Sequence, residues 1–197
     1  MNRSFAATVF GLALVSLAAG GLSGCVGAAV GGAAAVGTAA YSERGVEGAA
    51  KDLKIATAIR AAYLEKDEML PVKISIEVYD GRALLTGIAS SEQMRADAVR
   101  LAWTVSGVRD VLNEIQLSGG GAMETARDSW ITTKLKTEIT FDKEIMAVNY
   151  SIETVNGVIY LIGTAQSQAE LDRVIAHART IDYVKNVVSH VRIKGAS

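Results

Sequence analysis

The chain has 197 residues, with 20 Lys+Arg against 21 Asp+Glu and a formal net charge of -1. That balance argues against a nucleic-acid binder, which carries a basic excess, and the length allows one or two small domains. The single cysteine, Cys25, excludes an intramolecular disulfide and a thiolate metal cluster. His177 and His190 are the only histidines, and no HExxH or CxxC spacing is present, so no metal or other cofactor is expected.

The first 25 residues have the three parts of an export signal: a basic start (Arg3), an apolar run from Phe5 to Leu17, then small residues. The run is too short for a confident membrane span. It ends in "LSGC", Leu22 to Cys25, which resembles the bacterial lipoprotein cleavage box. The resemblance implies removal of residues 1–24 and acylation of Cys25, palmitate included; a plain signal with a chance cysteine is the other reading. Val26 stands where Asp would favour inner-membrane retention, which points to the periplasmic face of the outer membrane. Residues 25–50 are rich in Gly and Ala and read as a flexible tether. Gly27 and Gly31, four apart, leave a glycine-zipper membrane helix as the alternative.

The remainder is a duplication. A shift of 76 positions lays residues 52–117 over 128–193 without a gap, matching Gly81 to Gly157, Gly87 to Gly163, Ser91 to Ser167, Val108 to Val184 and Val111 to Val187. The units are residues 51–117 and 127–194, joined by a linker over 118–126 whose glycines lack the Lys-Ser/Thr of a phosphate-binding loop. Each unit opens on a helix with apolar residues four apart: Ile55, Ile59 and Tyr63, then Ile131, Leu135 and Ile139. Alternation follows, with Val72, Ile74, Ile76 and Val78 in one copy and Val148, Tyr150 and Ile152 in the other. Lys73, Ser75, Glu77, Asn149, Ser151 and Glu153 should therefore face away from the core. "DG" at 80–81 and "NG" at 156–157 predict two-residue hairpins. Ser91 and Ser167 predict helix caps, and "DVLNEIQL" and "NVVSHVRI" the last strands. A crossover into each last strand implies parallel pairing there. The expected fold class is α+β: two tandem α-β-β-α-β units, each with two helices on one face of a three-stranded mixed sheet.

The stretch "RDSWITTKLK", 127 to 136, carries the most unusual residue. Asp128 looks like a helix cap, and Ile131 and Leu135 belong to the core stripe. On a wheel of about 100° per residue, Trp130, Lys134, Thr137 and Phe141 share a neighbouring ridge, with Arg127 near and Lys136 flanking. Unit one has Lys54 where unit two has Trp130. Tryptophan favours the headgroup boundary of a bilayer, and each lysine contributes about 1 kcal/mol near an anionic surface. The competing reading buries Trp130 between the units.

The pattern around Gly81, Leu85, Gly87, Ser91, Gly107-Val108, Val111 and Asn113-Glu114-Ile115 resembles the BON family (bacterial OsmY and nodulation). Unit two keeps Gly157, Leu161, Gly163, Val184 and Val187 but has Tyr183 in place of Gly107, which leaves that turn less defined. With the lipoprotein box and tether, the whole chain resembles the dual-BON outer-membrane lipoproteins, and "SWITTK" looks like their phospholipid-binding helix. The resemblance implies that Trp130, Thr133, Lys134, Lys136, Thr137 and Phe141 contact anionic phospholipid, such as phosphatidylglycerol or cardiolipin, in support of outer-membrane integrity. The alternative is an adaptor whose polar outer sheet faces and first unit bind an envelope protein, by resemblance the outer-membrane assembly machinery. No Ser-His-Asp order or carboxylate pair suggests an enzyme. Trp103 is expected in a core or interface, and His177 and His190 on the surface.

Overall fold

The computed structural model describes residues 40–195, which belong to one compact unit. The export signal, Cys25 and most of the tether lie outside the described residues. The first repeat runs α1 (Gly45–Lys66), a single helical turn α2 (Leu70–Lys73), β1 (Ile74–Tyr79), β2 (Arg82–Ile88), α3 (Glu92–Thr104) and β3 (Asp110–Gln116). The second runs α4 (Ala122–Phe141), a 3-10 turn (Ala147–Asn149), β4 (Tyr150–Val155), β5 (Val158–Ala165), α5 (Gln168–Thr180) and β6 (Asn186–Ile193). Each repeat has a three-stranded sheet with the hairpin antiparallel and the last strand parallel to its middle strand, as the crossover requires.

The sequence periodicities become two cores. Ile55, Ile59 and Tyr63 of α1 close over Ile74, Ile76, Val78 and Leu85; Ile131, Leu135 and Ile139 of α4 close over Tyr150, Ile152, Ile159 and Leu161. Ser91 and Ser167 cap α3 and α5 by accepting the amides of Met94 and Glu170, at 3.1 and 3.2 Å. Gly87 and Gly163 are required where they stand. A side chain there would meet the backbone oxygen of Lys73 at 2.2 Å or of Asn149 at 1.9 Å.

Several boundaries differ from the sequence reading. Val72 and Val148 do not open strands. Val72 lies in the turn α2, whose second residue is Pro71, Val148 lies in the 3-10 turn, and both valines are exposed. Asn149 does not face solvent. It is wholly buried, and its Oδ1 accepts the Glu43 amide at 2.8 Å. α1 begins at Gly45 and α4 at Ala122, so the end of the expected tether and the second half of the expected linker are helical. Trp103 is half exposed rather than in a core or interface.

The largest difference concerns the outer sheet faces, expected to be free for partners. They pack on each other. Tyr79, Leu84, Ile88 and Leu112 of unit one meet Val155, Val158, Tyr160, Ile162 and Val188 of unit two in a third apolar cluster. Polar contacts ring it: Arg82 Nη1 donates to the His190 carbonyl at 2.8 Å, Gln116 Nε2 to the Tyr160 hydroxyl at 3.1 Å, and Asn156 Nδ2 to Gln116 Oε1 at 2.6 Å. Glu114 and His190, 76 positions apart, pair at 2.8 Å. Repeat equivalents that touch each other are what a two-fold arrangement produces. His190 is therefore a seam residue, not a plain surface one. The molecule has four layers: helices, sheet, sheet, helices.

Candidate membrane-docking face

α4 is 20 residues long and starts at Ala122, seven residues earlier than Asp128 as cap would allow. Asp128 instead reaches from the helix to the hairpin. Its carboxylate accepts the amides of Asn156 at 2.7 Å and Gly157 at 2.8 Å. Asp52 does the same in unit one, for Asp80 and Gly81, at 2.8 and 2.9 Å. Asn156 and Asp80 sit at positive φ in these turns, as two-residue hairpins demand. The helix is thus fixed to the sheet by its core stripe and by one carboxylate, which leaves its opposite side for solvent.

On that side, Met123, Arg127, Trp130, Lys134, Thr137 and Phe141 fall within an arc of about 80°. Trp130 is 44 % exposed, Met123 69 % and Phe141 81 %. The unit-one equivalents are Glu47, Lys51, Lys54, Ala58, Ala61 and Glu65. Every large apolar residue of the unit-two ridge stands opposite a charge. Lys134 lies 5.8 Å from the Trp130 ring centroid and 3.4 Å from a Glu138 carboxylate oxygen. Thr133 and Thr137 are exposed, and their hydroxyls donate to the carbonyls of Ser129 and Thr133, both at 2.9 Å. Hydroxyls satisfied by their own helix cost little to remove from water.

Lys136 separates from this group. It lies about 120° round the helix from Trp130 and acts electrostatically on Glu77 and Glu153 at the seam. Burial and the neighbouring Glu77 carboxylate raise Glu153 to about 7, with Lys136 opposing. Burial also raises Glu77, against Lys136, Ser151, Arg44 and Arg60. His177, in the last turn of α5, pairs with Asp142 at 2.9 Å and Glu138 at 3.3 Å, and holds the Asp142 carboxyl below its usual range.

The sequence does not show two contacts of this face. Tyr183 packs edge-on against Trp130, with centroids 6.3 Å apart and planes at 70°. The Arg127 guanidinium lies 4.5 Å over the Tyr183 ring. Trp130 therefore packs within its own unit, not between units. Tyr183 has φ 68°, in the left-handed region where unit one has Gly107 at φ 97°. A tyrosine there costs on the order of 1 kcal/mol or more. The turn cannot relax, because the Lys185 amide is bonded to the Gly157 carbonyl at 2.8 Å and the Tyr183 carbonyl abuts Gly157. Beside it lies a recess of about 210 Å³ lined by Glu124, Arg127, Asn156, Tyr183 and Lys185. The signal was present in the sequence: the two Lys-to-Trp and Gly-to-Tyr differences between the copies belong together.

Among the described residues, no helix is long and apolar enough to cross a membrane, and no group of three or more His, Cys, Asp or Glu is arranged for a metal. Two α+β units, each built on a glycine-anchored hairpin, define a tandem repeat of one small domain. Comparison with protein families matches the BON domain to residues 51–119 and again to 127–195, and the chain belongs to that family. Outer membrane lipoprotein DolP of Haemophilus influenzae is 31 % identical over 171 residues, 85 % of this chain and 87 % of that protein. Osmotically-inducible protein Y of Escherichia coli is 28 % identical over 146 residues, 73 % of each chain. An uncharacterised protein from the gshII 5′ region of Anaplasma centrale is 44 % identical over 123 residues, 61 % of this chain and 82 % of its own.

Proposed function

We propose that this protein is a lipid-anchored periplasmic binding protein that docks α4 on anionic phospholipid at the outer membrane and supports the integrity of that membrane. It is a binding protein rather than an enzyme. The observation that carries the reading is the exposed ridge of Met123, Trp130 and Phe141 flanked by Arg127 and Lys134, absent from the equivalent helix of unit one. Removing the exposed part of Trp130 from water contributes about 2 kcal/mol, and each cation about 1 kcal/mol at an anionic surface. That sum corresponds to a dissociation constant on the order of a millimolar. Such weak contacts suffice for a chain held at the surface by acyl groups on Cys25, because the local concentration is high. The likeness to a relative named as an outer membrane lipoprotein supports the anchor and its location.

Co-sedimentation of residues 40–197 with vesicles tests the docking; this span holds all three apolar clusters. Wild type should pellet with vesicles containing phosphatidylglycerol or cardiolipin and stay soluble with phosphatidylcholine alone. Trp130→Glu should abolish the difference while keeping the far-UV circular dichroism of wild type. Equal binding by both proteins would overturn the reading.

An adaptor role in envelope assembly is the second reading. Its surface is no longer the sheet faces but the exposed Leu53, Leu64 and Trp103 of unit one. Specific capture of an outer-membrane assembly protein that survives Trp130→Glu would favour it.

A further inference from the structure

We infer that the turn carrying Tyr183 is a second membrane contact, so that α4 and the α5–β6 turn form one docking face for an anionic lipid bilayer. This rests on the docking reading of α4. The backbone at position 183 is fixed in the left-handed region by the hairpin beneath it, as it is at Gly107. Glycine is the low-strain residue for that geometry, and unit one uses it. Unit two places a tyrosine there and leaves its ring 62 % exposed. Burial within the free protein therefore accounts for only part of what the ring does.

The direction in which the ring lies supplies the rest. It joins Trp130 edge to face, extending the aromatic surface from the helix onto the neighbouring turn. Arg127 is held against its face at 4.5 Å. Among the described residues, neither Arg127 nor Lys185 is in an ion pair, although Glu124 and Asp182 stand near in the fold or the chain. Lys134, by contrast, is shared with Glu138. Arg127 and Lys185, beside Tyr183, are thus left available to lipid phosphate. Tyrosine, with an apolar ring and a polar tip, suits the headgroup boundary. Two elements in rigid contact also fix the angle at which the protein meets the bilayer, which a single helix does not.

Three variants of residues 40–197 separate the possibilities: Tyr183→Gly, Tyr183→Trp and Trp130→Lys. The residues introduced by the Gly and Lys variants are those unit one carries at the equivalent positions, Gly107 and Lys54. Each is measured for melting temperature and for partition onto vesicles of equal parts phosphatidylglycerol and phosphatidylcholine. Tyr183→Gly should melt at or above wild type, since strain is relieved, yet partition three- to tenfold more weakly. Tyr183→Trp should retain wild-type partition. If Tyr183→Gly partitions like wild type while Trp130→Lys is impaired, α4 docks alone and the inference is overturned with the docking reading intact. If Tyr183→Gly melts below wild type and Tyr183→Trp fails to hold the bilayer, the tyrosine is a structural prop and the inference falls. If Trp130→Lys itself binds like wild type, the docking reading fails and this inference with it.

Discussion

Asp52 and Asp128 show how one residue can set the position of a whole helix. Each accepts two hairpin amides, so the first helix of each unit and its β-turn are joined by charge-assisted hydrogen bonds. These are stronger than neutral ones. Asp128→Ala should lower the stability of the protein by about 2 kcal/mol, read as a shift of the denaturant midpoint at constant slope. Asp128→Asn should recover part of that, since an amide oxygen still accepts. Asp128 reads from the sequence as a helix cap because Asp before an apolar-periodic segment is a cap signal. The structure shows the helix already running seven residues earlier, from Ala122. Tyr183 was visible as a departure from the repeat, but its partner was not, because Trp130 and the α5–β6 turn are 53 positions apart and meet only in the folded unit.

At the level of elements, α1 and α4 share a core stripe and differ on the solvent side. The core stripe was legible because Ile, Leu and Tyr recur at four-residue spacing. The solvent ridge was legible as far as Trp130, Lys134, Thr137 and Phe141. Met123 is hidden in the sequence because Asp128 reads as the helix start, and Lys136, which flanks the ridge on the wheel, lies about 120° from Trp130. Replacing both Met123 and Phe141 by Ser should leave the melting temperature within a few degrees of wild type, as both are exposed. The same change should weaken vesicle partition at least tenfold, measured by co-sedimentation. The hairpin is less forgiving. Gly163→Ala drives a methyl into the Asn149 carbonyl and should cost more than about 3 kcal/mol or prevent folding, seen as loss of the thermal transition.

Across the whole molecule, the two sheets bury their outer faces against each other and bring Glu77 and Glu153 near one another. Glu153 titrates near 7 in the folded protein because burial and Glu77 disfavour its charge. A carboxyl raised above its unfolded value binds more protons folded than unfolded, so it favours folding below that value and opposes folding as pH rises through 7. Stability should therefore fall between about pH 5 and pH 8. Glu153→Gln removes the ionising carboxyl and should raise stability at pH 8 by about 1 kcal/mol or more, with little effect at pH 5. Thermal melts of both proteins at the two pH values check it; an equal shift at both would assign the effect to packing instead.

The hairpins, the serine caps and the odd tryptophan follow from the sequence by itself, because each is a local signal carried by residues within a few positions of one another, and the duplication follows because the chain overlays itself at a shift of 76. Pairing within a unit then follows from hairpin and crossover geometry. What only the tertiary structure decided was contact over long separations. The polar-looking outer faces became a seam because Tyr79, Leu84, Tyr160 and Ile162 alternate with the charged residues there and find each other across it. Trp130 gained Tyr183, Asp128 gained a hairpin, and Lys136 came within electrostatic reach of Glu153, since a side chain's neighbours depend on how elements pack and not on its own helix alone.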